Sequence, residues 1–219
     1  MERVVPETGK LNDSDVVLAT LSKRRGRVQQ RLALFLAWVG LLLLLYVSSQ
    51  YWQMHAAQRK LTLEWQQQSA LRANVSSNEI DPSSNGLTRL TIDKIKLDAV
   101  IVEGSSRKSL KLGPGHMEDS PLPGNSGNSV IVAHRDTFFR HLDELQDGDE
   151  IDLRRQGEVY RFVVTGRRIA EPTDLSALRQ SSSVQLTLIT CYPTHYVGPA
   201  PQRLVVVARL IATSKTAGE

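Results

Sequence analysis

The chain has 219 residues, 41% of them hydrophobic and 23% charged, enough for one or two domains. Its formal charge of +4 does not describe a nucleic-acid binder: residues 87–213 carry 16 Lys and Arg against 15 Asp and Glu, a net of +1, and no basic stripe interleaves with aromatics. The single cysteine, Cys191, excludes a disulfide within the chain.

Residues 1–31 read as a cytoplasmic N-terminal tail, polar and expected to be poorly ordered over its first 22 positions. Residues 32–52 read as a transmembrane signal anchor. Leu32–Val47 is almost wholly apolar, and no Asp, Glu, Lys or Arg occurs between Arg31 and Arg59. Crossing a bilayer takes about 20 apolar residues, and Tyr46, Tyr51 and Trp52 suit the far interface. Lys23, Arg24, Arg25, Arg27 and Arg31 precede the span, whereas only Arg59 and Lys60 follow closely. This asymmetry puts the N-terminus in the cytoplasm and the rest of the chain outside, as a single-pass inner-membrane protein. The basic excess beside the membrane suits anionic lipid. A cleaved signal peptide is the rival reading; the apolar run is long for one, and no clear small-x-small cleavage site follows.

Residues 53–75 are rich in helix formers without Gly or Pro, and predict a juxtamembrane helix continuing the span. Residues 76–86 are a linker by composition. From residue 87 the pattern changes to short strands. Leu87–Ile92 alternates apolar and polar, and Ala99–Val102 is a short apolar run. Gly113–Gly115 and Pro121–Gly127 are loops dense in turn residues. Ser129–Ala133 predicts a buried strand. Phe138, Phe139, Leu142 and Leu145 predict a helix capped by Asp136. Ile151–Arg154 and Tyr160–Thr165 predict a hairpin about Gln156–Gly157. Thr173 or Asp174 starts a short helix through Leu178, and Val184–Cys191 and Leu204–Ile211 are the last strands. Many short strands with few helices indicate a mainly β domain over residues 87–213, a closed barrel or a sandwich, followed by a C-terminal tail at 214–219.

Three residues at strand ends carry the chemistry: His134 after Ser129–Ala133, Cys191 after Leu186–Thr190, and Arg203 before Leu204–Leu210. A cysteine attacks a carbonyl as its thiolate. An imidazole can hold or generate that thiolate and protonate a leaving amine. A guanidinium offers fixed donors to the resulting oxyanion, and the backbone N–H of Tyr192 would add another. The plainer alternatives stand beside these roles: a packed cysteine, a hydrogen-bonded histidine at a strand end, and an arginine in a surface ion pair. Spacing alone does not bring the three together.

Residues 87–211 resemble the sortase family of membrane-anchored cysteine transpeptidases. Thr187-Leu188-Ile189-Thr190-Cys191 matches the family signature Thr-Leu-Xaa-Thr-Cys in full, and Val130–Ile151 (VIVAHRDTFFRHLDELQDGDEI) resembles the stretch bearing the family histidine. One departure is Val132–Ala133, where Ala-Gly is usual. Arg203 in QRLVVVARL matches the family arginine, and Gly113–His116 and Pro123–Asn125 match a subset of members. The Cys191-Tyr192-Pro193 and Ala200–Arg203 segments look most like class D or E and proteobacterial single sortases.

The resemblance implies a closed eight-stranded β-barrel with short helices, preceded by the transmembrane helix. It implies cleavage of an LPxTG-like motif in a sorting-signal protein. Cys191 is the implied nucleophile and His134 the proton carrier, with Arg203 positioning the motif and stabilising the oxyanion. Thr190 and Tyr192 are further candidates beside substrate. The acyl group would pass to an amine of the cell wall or of a pilin. No cofactor and no metal is implied. Specificity would reside in loop shape, in Tyr192–Gln202 and Ala170–Ser183.

His116 reads as structural, and His141 and His195 as side chains flanking the site in sequence, His195 as a solvated loop histidine in preference to a substrate contact. Asp143, Glu144, Asp147, Asp149 and Glu150 lack the spacing of a dedicated calcium loop. Asp81-Pro82-Ser83 lacks the aromatic plug of a lid. Papain-like peptidases place Cys before His, the reverse of this chain, and the Ser-His-Gly-Cys segment of L,D-transpeptidases is absent. A hydrolytic sortase-like peptidase and a membrane-tethered binding domain are the remaining alternatives.

Overall fold

The computed structural model describes residues 13–73, 87–196 and 198–215. The expected linker at 76–86, with Asp81–Ser83, and the first twelve residues of the tail lie outside the described residues, as do 216–219. The chain divides into two compact units, residues 1–52 and 53–219.

A single helix, α1, runs from Asp13 to Ala73 and so begins inside the stretch expected to lack order. Gln30–Ala70 contains a part long and apolar enough to cross a membrane. In the first unit, Leu32, Phe35, Leu36, Leu42 and Leu44 are all exposed, an apolar surface left uncovered among the described residues.

The second unit is a closed barrel of eight strands: β1 (Thr88–Ile92), β2 (Leu97–Glu103), β3 (Gly115–His116), β4 (Asn128–Val132), β5 (Glu150–Arg155), β6 (Glu158–Ala170), β7 (Gln185–Tyr192) and β8 (Gln202–Lys215). Their order round the barrel is β1-β2-β3-β4-β7-β8-β6-β5, and β5 closes the ring by pairing with β1 through Leu90 and Leu153. Only the β2–β3 and β4–β7 pairs are parallel. The inward series is fully buried in Leu90, Ile92, Ile131, Leu153, Phe162, Leu186, Leu188 and Val206. Each such side chain contributes about 1.5–3 kcal/mol by leaving water.

The β5–β6 hairpin turns at Gln156 (φ 56) and Gly157 (φ 80). Two successive positive φ values match the right-handed twist of the strands they join. Strand β6 runs to Ala170, past the expected end at Thr165, with register shifts at Arg161/Phe162 and Val164/Gly166. Strand β3 begins on the last glycine of the Gly113–Gly115 stretch read from sequence as a loop. Its His116 is buried, with Nδ1 2.9 Å from Glu103 Oε1 and Nε2 3.0 Å from Ser120 Oγ, which supports the structural role expected for it.

The helix expected over Phe138–Leu145 is a correction: the segment is a series of turns ending in a 3-10 helix at Leu142–Glu144. Leu142 N–H donates to Phe139 O at 3.2 Å and Leu145 N–H to Leu142 O at 3.3 Å. Phe139, Leu142 and Leu145 are all fully buried. A spacing of three brings all three to one face of a 3-10 turn, whereas an α-helix would rotate them apart.

The C-terminal part of α1 packs on the barrel. Met54, Ala57, Gln58, Leu61, Thr62, Trp65 and Ser69 are half-buried at helical spacing. Strand β3 pairs only with Val102 and Glu103 of β2, which leaves Val100 without a strand on that side. The Gln58 amide takes that place: Oε1 accepts from Val100 N–H at 3.0 Å, while Nε2 donates to Val100 O at 3.1 Å and Leu112 O at 2.6 Å. A Cβ at Gly113 would come within 2.5 Å of Gln58 Nε2 and 2.7 Å of Val100 O, so glycine is needed there. Gln58→Ala should strand a backbone donor and acceptor and cost about 1–3 kcal/mol. A thermal melt of the full chain in detergent checks this; an unchanged midpoint would count against a structural role for the amide.

Arg89 adds a second tie. Its Nε and Nη2 donate to Asp98 Oδ1 and Oδ2 at 2.7 and 2.6 Å, and the guanidinium lies 5.0 Å from the centre of the Trp65 ring. The bond from Arg89 holds the Asp98 carboxyl below the usual carboxylate range. A lowered folded value means that this stabilisation is complete above the unfolded carboxylate range and fades as pH falls through the folded value. Asp98→Asn should therefore flatten the loss of thermal stability in that acid window and leave the neutral-to-basic profile parallel to the parent. A variant profile as steep as the parent's would assign the acid loss to other groups.

Candidate active site

Strands β4, β7 and β8 are consecutive in the barrel, and the candidate residues sit where their ends meet. Val130, Ile131 and Val132 lie level with Thr187, Leu188 and Ile189 in the parallel β4–β7 pair. The ladder continues one step further, with Ala133 N–H donating to Ile189 O at 3.2 Å. Strand β4 ends at Val132, and His134 follows two residues on, next to the end of β7 that bears Cys191. Across the antiparallel β7–β8 pair, Cys191 is directly opposite Arg203.

Side-chain alternation decides the face. Ile131 and Ala133, Leu186 and Leu188, and Leu204 and Val206 point into the core. The residues between them point outward, so Cys191 and Arg203 share the outer face. His134, Cys191 and Arg203 are all half-buried. After His134 the chain leaves the sheet in a turn, and His134 O accepts from Phe139 N–H at 3.2 Å.

Thr190 is buried, and its hydroxyl donates to Ala133 O at 2.8 Å. The residue before Cys191 thus bonds the residue before His134, which fixes the two strand ends to each other. That hydroxyl is committed within the protein, while Tyr192 packs against the barrel core. Arg203 Nη1 donates to Gln202 O at 2.9 Å and Ala200 O at 3.3 Å, so both bonds use one nitrogen of the guanidinium.

The outer face is covered on one side by the β6–β7 connection. Asn128, fully buried at the start of β4, donates from Nδ2 to Ala177 O at 2.9 Å and Arg179 O at 3.1 Å. Thr187 Oγ1 donates to Asn128 Oδ1 at 2.7 Å. Asp174 starts the 3-10 helix Leu175–Leu178, as the sequence indicates, by accepting from Ser176 N–H at 2.8 Å. Ser176 and then Arg168 hold its carboxyl well below the usual carboxylate range. Asn128 was not legible in the sequence as a site-shaping residue; a lone Asn before an apolar run is its only signal.

On the other side, His141 Nδ1 lies 2.8 Å from Glu144 Oε1, and its ring centre is 6.1 Å from that of His195. Thr194 Oγ1 donates to Asp143 Oδ2 at 2.8 Å. Asp149 bonds Lys94 at 2.7 Å and Gln146 N–H at 2.6 Å.

The sortase domain family matches residues 90–211. Sortase D of Bacillus subtilis (strain 168) is 36% identical over 123 residues, 56% of this chain and 62% of that relative. The match thus spans less than two thirds of that protein's length. Among solved structures, a Clostridium perfringens sortase D5 transpeptidase is similar at a TM-score of 0.57 and 25% identity, over 73% of this chain and 98% of that one. Sortase E from Streptomyces avermitilis is similar at a TM-score of 0.51 and 27% identity, over 58% of this chain and 89% of that one. The chain belongs to the sortase family, and its likeness to sortases D and E agrees with the class its motifs suggest.

Proposed function

We propose that this protein is a membrane-anchored cysteine transpeptidase acting on an LPxTG-like sorting motif. The register that sets Cys191 opposite Arg203, with His134 two residues beyond the end of the neighbouring strand β4, supports this reading. The Cys191 thiolate attacks the carbonyl carbon of the scissile bond. Charge develops on the carbonyl oxygen, where Arg203 donates to it. His134 gives a proton to the leaving nitrogen, the C–N bond breaks, and a thioester to Sγ remains. An amine of the cell wall or of a pilin then attacks the thioester and gives a proton to His134, the C–S bond breaks, and the amide and the thiolate are released.

Residues 32–52 act as the anchor, with the basic cluster at Lys23–Arg31 in the cytoplasm beside anionic lipid and the barrel outside. Residues 87–213 form the catalytic domain. The test is partition. With the full chain in detergent, an LPxTG-like peptide and rising concentrations of an amine, product should shift from free acid to amide at constant peptide consumption. Product that stays free acid at every amine concentration would make the protein a peptidase.

A further inference from the structure

Arg135 follows His134 directly, yet its side chain serves another element. Its Nη1 donates to Pro193 O at 2.9 Å and its Nη2 to Gly198 O, while the guanidinium carbon lies 5.8 Å from the centre of the Tyr196 ring. Pro193 and Gly198 belong to the connection that leaves β7 after Cys191 and enters β8 before Arg203. One planar fork therefore grips that connection at two points and stacks on an aromatic ring between them.

A second tie stands behind it. Thr194, buried at 6% exposure, donates to Asp143 Oδ2, and His195 Nε2 lies 3.9 Å from the same oxygen. Asp143 is in turn fixed by its backbone, since Arg167 Nη1 donates to Asp143 O at 2.6 Å and Leu145 O at 3.0 Å. Both ties run from the segment after His134 to the segment after Cys191. The connection joining the nucleophile to the candidate oxyanion donor is thus held by the element bearing the candidate proton carrier. His195 and Tyr196 remain exposed on it, at the edge of the site.

We infer that Arg135 is a positioning residue that holds the β7–β8 connection as a fixed wall of the peptide site. This rests on the transpeptidase reading. The bonds need a planar guanidinium: two donors in one plane reach two carbonyls, and a lysine ammonium is a point charge on a flexible stem. Losing the fork frees the wall without touching Cys191, His134 or Arg203. A wall that contacts peptide equally in ground and transition states acts on KM and leaves kcat nearly as it was.

The test uses the full chain in detergent and its Arg135→Lys variant, with Thr194→Val as a second, near-isosteric loosening of the other tie. Hydrogen exchange at the amides of Thr194, Tyr196 and Gly198 reports the wall without reference to any reaction. Steady-state kinetics with an LPxTG-like peptide reports its consequence. Arg135→Lys should exchange those amides faster at an unchanged melting temperature, and raise KM about tenfold, equivalent to about 1.4 kcal/mol. Thr194→Val should move both in the same direction by less. Parental exchange in Arg135→Lys would overturn the clamp. Faster exchange with parental KM would overturn the positioning role. An unsubstituted chain that turns over no such peptide refutes the transpeptidase reading, and the inference falls with it.

Discussion

Replacing Cys191 with alanine is expected to abolish peptide turnover, and His134→Ala should do the same in a multiple-turnover assay. In the proposed mechanism the two groups act as a unit. Without Sγ no thioester forms, and without the imidazole neither the thiolate nor the proton for the leaving nitrogen is supplied. Removing both should cost no more than removing either, because members of one catalytic unit are not additive. The register places these positions on neighbouring strand ends, with the Thr190 hydroxyl bonding Ala133 O between them. Folding of each variant is checked by its melting midpoint, since neither side chain belongs to the buried core. Full activity in Cys191→Ala would refute the mechanism outright.

Arg203→Ala is expected to lower kcat by about two to three orders of magnitude, the usual cost of losing one donor to a developing oxyanion. Arg203→Lys should recover little, because an ammonium cannot reproduce the planar set of donors. In the structure Nη1 alone bonds Ala200 O and Gln202 O, and Arg203 faces Cys191 across one strand pair. A loss confined to KM, with kcat unchanged, would assign Arg203 to motif binding in place of transition-state stabilisation.

Much of this site could be read from sequence because its parts are local. Apolar runs marked the ends of β4 and β7 and the start of β8; Cys191 and Arg203 lie one residue inside the ends of β7 and β8, and His134 lies two residues past β4. The hairpin at Gln156–Gly157 announced itself through a residue pair that tolerates positive φ. What stayed hidden is non-local. Gln58 completes the pairing of β2 from 42 residues away, and no pattern within α1 singles it out from the neighbouring glutamines. Arg135 reaches carbonyls 58 and 63 residues on, and beside a histidine it passes for a solvated charge. The Phe138–Leu145 segment misled for a different reason. Its apolar spacing fits an α-helix and a chain of 3-10 turns, and the need to bury Phe139, Leu142 and Leu145 together favours the turns. Strand β3 is two residues long, too short to show alternation.

The docking of residues 54–69 on the barrel also bears on experiment. A soluble fragment beginning after α1 would lose the Gln58 and Trp65 contacts and expose the edge of β2 at Val100. Kinetic work is better done on the full chain.

In the proposed mechanism Cys191 carries the acyl group. Intact-protein and peptide-level mass spectrometry of the full chain in detergent, mixed with LPxTG-like peptides without an amine acceptor, tests it most directly. The expected result is a hydroxylamine-sensitive adduct on Cys191, equal in mass to the motif up to its threonine, absent in Cys191→Ala and discharged as an amide when an amine is added. Peptide cleavage that leaves Cys191 unmodified, or that persists in Cys191→Ala, would contradict it.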